Sequence, residues 1–248
     1  MYRATGAGLI ESFLASGSDG SLLVCHEQCE RERIPDHPKL RKYDLNESEF
    51  LHSWLLSNQD VIPVSLGGSA GPCACPRPDW PFRGHQPGCI WGWYNKNASR
   101  WFRKIVALNY AQTLTECDAL VWLDSDCRFK KRLEAETVEG WFGDAAVFAH
   151  KSPDRPVVES GVMGFRMNDH GRRFLRVTAD RYRSGEFRSC PRWDDGFQFQ
   201  ITLDQHPEIP RVDLAARATG DGFVLPNSPA GDYIEHKKGT HGRLRVMV

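Results

Sequence analysis

The chain has 248 residues, 40% of them hydrophobic, with 32 Lys and Arg balanced by 32 Asp and Glu. That is enough to bury a sizeable core within one domain, and it excludes a global field that would pull the protein onto nucleic acid or an anionic membrane; such affinity has to come from a local patch. The opening stretch, MYRATGAGLIESFLASGSDG, lacks a basic segment leading into a long apolar run, and no stretch approaches the ~18 apolar residues of a membrane span, so a cytoplasmic protein is expected.

In chain order, Leu9, Ile10, Phe13 and Leu14 recur at helical spacing after Thr5, the expected N-cap, and Gly17 stands where a C-terminal cap belongs. A strand is expected at SLLVC, then a helix over 46–58 that opens with an acidic turn and buries Phe50, Leu51, Trp54 and Leu55. Residues 59–95 are rich in Gly, Pro, Cys and Trp without periodicity, too long for a simple connection, and are read as a functional loop or lid. SRWFRKIVALNYAQTL is an amphipathic helix leading into the apolar strand ALVWL. AAVFAH and GVMGFRM follow as strands, then a helix from about Asn168 to Arg183, a helical DDGFQFQITL, and a loop-like tail over 226–248. The alternation predicts a single α/β domain whose mixed, mainly parallel sheet carries helices on both faces.

The eight cysteines, at 25, 29, 73, 75, 89, 117, 127 and 190, are too sparse for a disulfide scaffold. CHEQC and CAC, with Cys89, match neither the ribbon nor the finger spacing of structural zinc, and free thiols packed as small hydrophobes are the simpler reading.

The strand ALVWL runs into Asp-Ser-Asp. Ligands of open α/β sheets sit at the carboxyl ends of the strands, and strand alternation sends residues i and i+2 to one side, so Asp124 and Asp126 are expected to face one ligand. Two close carboxylates repel unless a cation lies between them; hard oxygen donors of this kind suit Mg²⁺ or Mn²⁺. The alternative is a solvated turn with a capping Asp.

Four ordered motifs extend this pattern: Phe102 and Lys104 followed by VWLDSD, then ESGVMGF, WDDG and EHKKGTHG. Together they resemble the GT-A-type glycosyltransferases, nucleotide-diphospho-sugar transferases whose Asp-x-Asp motif holds a metal against the donor diphosphate, and in particular small members from bacterial and phage genomes. The resemblance runs over roughly 95–243 and more loosely from Thr5 onward. It implies a GT-A (Rossmann-like) fold, a Mn²⁺ or Mg²⁺ cofactor and a nucleotide-diphospho-sugar donor. It also implies His236 as a metal ligand with Asp126, and Asp124 as a third ligand or a ribose acceptor. Lys104, with Arg103 and Lys238, would contact phosphates; Glu159 would accept from sugar hydroxyls beside Ser160 and Gly161; Thr5 and Gly239 complete the donor set. The chain departs from the glycogenin-like pattern in lacking a lysine after the late glycine: Lys237 and Lys238 precede Gly239, and His241 follows it.

An inverting reaction needs a base for the acceptor hydroxyl, and Asp194 and Asp195 are the candidates; capping of the following helix is the competing role for each. Residues 77–104 interleave basic side chains with aromatics, among them Trp91 and Trp93, which stack on sugars or on bases. A carbohydrate or small hydroxyl acceptor is the first expectation and a hydroxymethylated base in DNA, flipped from its stack, the second. Two further function classes stand beside the transferase: a nucleotidyltransferase, for which TGAGL is a poor phosphate loop, and a non-catalytic module that binds sugar or nucleotide.

Overall fold

The computed structural model describes residues 3–27, 34–61, 98–114, 117–151, 157–217 and 224–237. The loop at 62–95 and the tail from Lys238 onward, and with them Trp91, Trp93, Lys238 and Gly239, lie outside the described residues. So do Cys29, Cys73, Cys75 and Cys89.

Helix α1 spans Arg3–Ser16, so Thr5 lies inside its first turn and not at its cap. The helix ends at Gly17, whose φ of 66° is left-handed backbone that glycine adopts at no steric cost. Strand β1 (Leu22–His26) pairs in parallel with β2 (Leu40–Asp44), and helix α2 (Glu49–Ser57) follows, capped by the Ser48 side chain on the Leu51 N–H. Helix α3 (Ala98–Ala111) leads to β3 (Ala119–Leu123), a turn, and the short β4 (Cys127–Phe129). Then come α4 (Ala135–Phe142), β5 (Val147–Lys151), β6 (Val158–Arg166), α5 (Asp169–Arg183), α6 (Asp195–Gln205), β7 (Arg211–Asp213) and β8 (Ile234–His236).

Four strands make one sheet in the order β3-β6-β5-β7, while β4 pairs with β8 in a separate two-stranded ribbon. The fold is α/β and the sheet mixed, as expected. Its pairings are antiparallel for β3–β6 and β5–β6 and parallel for β5–β7. The antiparallel share has a local cause: few residues separate β5 from β6, and a parallel neighbour needs a crossover of a dozen or more.

Alternate residues of β5 and β6 feed two cores. Val147, Ala149, Val158, Met163 and Phe165 join Trp54, Phe102, Phe174, Tyr182 and Phe199 on the side of α2, α3, α5 and α6. Phe148 and Val162 turn the other way, toward Trp141 and Phe142 of α4 and Ile234 of β8. Both faces are thus covered. Gly164 leaves the space that the Phe148 ring fills. All five residues of the apolar strand β3 are only partly buried; among the described residues β6 is its one neighbour in the sheet. Among the described residues no helix is long and apolar enough to cross a membrane.

Candidate functional site

The two carboxylates sit on the turn that leaves β3. The Asp124 N–H donates to Gly161 O at 2.9 Å, and Cys127 N–H closes the turn onto Asp124 O at 2.9 Å. Strand alternation therefore stops at Asp124. It does place Trp122 and Asp124 on one side, and Trp122 Nε1 donates to Asp124 Oδ1 at 2.7 Å.

His236 reaches the turn through the β4–β8 ribbon, whose register pairs Cys127 with His236; the Lys237 N–H donates to Asp126 O at 3.1 Å. The tail expected to be loop-like thus contributes a strand at its described end. The His236 side chain is buried, with Nε2 2.9 Å from Asp126 Oδ1 and 3.9 Å from Asp124 Oδ2, and Nδ1 3.3 Å from Glu159 Oε1. Burial works against a charged ring, but the hydrogen bonds to Asp126 and Glu159 outweigh it and lift the pKa to about 9. A methyl group on Gly161 would overlap the imidazole, so the glycine of ESGVMGF makes room for this histidine.

Lys104 is the second organising residue. It reaches from α3 with its side chain 7% exposed and forms ion pairs with Asp124 Oδ1, at 2.9 Å, and with Asp195 Oδ2. Its ammonium also donates to Ser160 O at 2.9 Å and to Ser160 Oγ at 3.3 Å. Burial alone would discharge the amine, yet the two carboxylates hold its pKa above the ordinary lysine value. Asp124 is the mirror case: burial would raise its pKa, and Lys104 with Trp122 brings it below the usual value.

The neighbouring aspartates of WDDG separate into two roles. Asp194 caps α6, accepting from the Phe197 N–H, and takes a bidentate contact from Arg192 at 2.7 and 2.8 Å; burial leaves its carboxyl above the usual range. Asp195 points to Lys104. Gly196 packs its Cα against Val158 O, where a Cβ would crowd to 2.8 Å, which brings α6 hard against β6 beside Ser160.

Asp124, Asp126, Glu159, Ser160, Gly161, Asp195, Lys104 and His236 therefore converge. Asp194 borders the cluster in a capping role. Arg103 turns away, pairing with Glu27, with Nη2 at 2.7 Å from Oε1, and donating to Ser99 O at 2.7 Å.

Sequence reasoning missed two participants. Trp122 orients Asp124, a role its place two residues before the aspartate could have suggested. Cys127, immediately after the motif, groups with Asp126 and His236: their ligand atoms all lie within 4.8 Å of one another. A divalent cation fits this set, which combines a carboxylate, an imidazole and a thiol.

No protein-family model matches the chain, and no curated protein matches it. Among solved structures, mouse xyloside xylosyltransferase 1 in its apo form matches with a TM-score of 0.48 at 14% identity, over 88% of this chain and 80% of that one.

Proposed function

We propose that this chain is a metal-dependent glycosyltransferase that moves a sugar from a nucleotide-diphospho-sugar to a hydroxyl acceptor. The observation that carries the reading is the convergence of Asp124, Asp126 and His236, from two separate pairings of the chain, beside the buried Lys104–Asp195 pair. Asp126 and His236 would hold the cation, with Asp124 adjacent. When bound, a divalent ion supplies Lewis-acid stabilisation to the negative charge that develops on a departing diphosphate.

The chain's own residues then divide the remaining work. Lys104 holds Asp124 and Asp195 at fixed positions, so its role is orientation more than the direct phosphate contact expected from the motif. Glu159 holds the His236 ring through Nδ1 and would accept from sugar hydroxyls, while Ser160 accepts from Lys104 and Gly161 makes room for the His236 ring. Asp195, paired with Lys104, would be the remaining candidate base for the acceptor hydroxyl, and Asp194 serves the helix. Lys238 and Gly239 would cover the diphosphate and Thr5 would border the donor, while Arg103 is held apart by Glu27. Trp91 and Trp93 would meet the acceptor, a glycan or small hydroxyl compound first and a hydroxymethylated base in DNA second.

The test is incubation of the protein with a panel of nucleotide-sugars and divalent ions, with products read by mass spectrometry. Release of nucleoside diphosphate, abolished by EDTA, is the expected result. Pyrophosphate release from nucleoside triphosphates instead would identify a nucleotidyltransferase, and binding without turnover a non-catalytic module.

A further inference from the structure

Cys127 follows Asp126 directly, opens β4, and lies opposite His236 on β8. Opposed residues of an antiparallel pair project from the same face with their Cβ atoms close together, and Cys127 is fully buried there. Among the described residues its thiol donates to Gly161 O at 3.6 Å. Donors bonded to one tetrahedral zinc-type ion at about 2.0–2.3 Å stand about 3.3–3.6 Å apart. The Asp126, Cys127 and His236 donors, within 4.8 Å of one another, need to close by at most about 1.5 Å to meet that spacing.

The rest of the site favours the same three. Glu159 Oε1, 3.3 Å from Nδ1 of His236, is the outer carboxylate that orients a metal-binding imidazole so that Nε2 faces the ion. Asp124 Oδ1 is already engaged by Lys104 and Trp122, and its Oδ2 stands 3.9 Å from His236 Nε2, against 2.9 Å for Asp126 Oδ1.

We propose that Cys127 is a ligand of this centre, and that the site consequently takes a thiophilic transition ion of the Zn²⁺ or Co²⁺ class in preference to Mg²⁺. The inference rests on the metal-site reading above and narrows it. Carboxylates alone suit Mg²⁺ and Mn²⁺, which is where the Asp-x-Asp motif points; an imidazole and a thiolate beside one carboxylate suit zinc-like ions. Ligation replaces the S–H bond with a sulfur–metal bond, and the proton leaves to water.

Metal-free full-length protein is titrated with Co²⁺ and its absorption spectrum recorded. The expected result is visible d–d bands together with a near-ultraviolet sulfur-to-cobalt charge-transfer band. Cys127→Ser should keep the d–d bands, lose the charge-transfer band and lose more Zn²⁺ affinity than the about 10–100-fold that removal of an outer partner costs, with Mg²⁺ affinity unchanged. X-ray absorption of the Zn²⁺-loaded wild-type protein needs no variant and should show a sulfur shell at about 2.3 Å. Cobalt bound with d–d bands but no charge-transfer band, a band that persists in Cys127→Ser, or a zinc shell of nitrogen and oxygen alone would each overturn the role of Cys127 while leaving a metal site standing. No binding of Co²⁺, Zn²⁺ or Mn²⁺ at all would overturn both this inference and the metal-dependent reading.

Discussion

Replacing Lys104 by Met keeps the unbranched stem that packs in α3 and deletes the ammonium that two carboxylates share. Asp195 is then stranded, its side chain 3% exposed, whereas Asp124 at 31% can turn to water. Removing one partner of a buried ion pair costs about 3–5 kcal/mol. Because the partly exposed Asp124 contributes less, the expected loss is near the lower figure, about 3 kcal/mol, a large part of the roughly 5–15 kcal/mol that holds a domain together. For a chain of this size that corresponds to a fall in Tm of about 6–12 °C. Adding Asp195→Asn removes the stranded charge and should restore more than half of the loss. The sign of the pH dependence follows from the shifts. The pKa of Lys104 is raised above 10.5 in the folded protein, so its contribution is fully present below that value and is lost as pH rises beyond it. The pKa of Asp124 is depressed below 3.8, so its contribution is present above that value and is lost as pH falls through the folded-state pKa. The deficit of the variant should accordingly be constant across neutral pH and shrink at both extremes, in alkali as the wild-type protein loses the Lys104 contribution and in acid as it loses that of Asp124. Urea unfolding of the two single variants and the double variant measures this. A loss below about 1 kcal/mol, or additive single variants with no recovery in the double, would refute the account of Lys104 as a buried lock.

Gly161→Ala places a methyl group in the His236 ring and should abolish metal-dependent turnover while circular dichroism remains native; retained turnover would show that His236 has no part in it. Asp194→Asn keeps an N-cap of equal rank and discharges a carboxyl that burial disfavours, so stability should change by less than about 1 kcal/mol and turnover should persist, whereas Asp195→Asn should remove turnover; equal losses would contradict the division of roles. The acceptor is read by salt: binding to hydroxymethylated duplex DNA should weaken steeply between two ionic strengths as phosphates neutralised by Lys and Arg release counterions, whereas binding of a neutral carbohydrate should barely respond, and a flat response without transfer to DNA eliminates the nucleic-acid acceptor.

The longer elements were legible because their apolar spacing is local: α1, α2, α3, α5 and α6 lie where periodicity places them, although α1 begins ahead of the expected Thr5 cap, and Asn168 and Asp194 cap as their side chains allow. Strand β2, LRKYD, was missed because charges break its alternation, and β4, β7 and β8 because three residues carry no period. The partial burial of the apolar β3 was not legible, because the neighbours a strand finds are set by long-range pairing. The same limit applied to the site. Asp124, Asp126 and His236 could be named from motifs, yet the contact that brings His236 to Asp126 depends on the β4–β8 register. The burial of Lys104, which changes it from a solvated cation into a lock, depends on how α3 packs beside β6 and α6.

The central claim, that Asp126 and His236 hold a cation against a donor diphosphate, is tested most directly by binding. Thermal shifts with UDP, GDP, CDP and ADP are recorded with and without Mn²⁺, Mg²⁺ or Zn²⁺ for the wild-type protein and for Asp126→Ala, because a ligand that binds only the native state raises its melting temperature. The account predicts that one nucleoside diphosphate stabilises the wild-type protein only when a divalent ion is present, and that Asp126→Ala, folded as before, loses that stabilisation. Equal nucleotide stabilisation in EDTA, or an undiminished shift in Asp126→Ala, would contradict it.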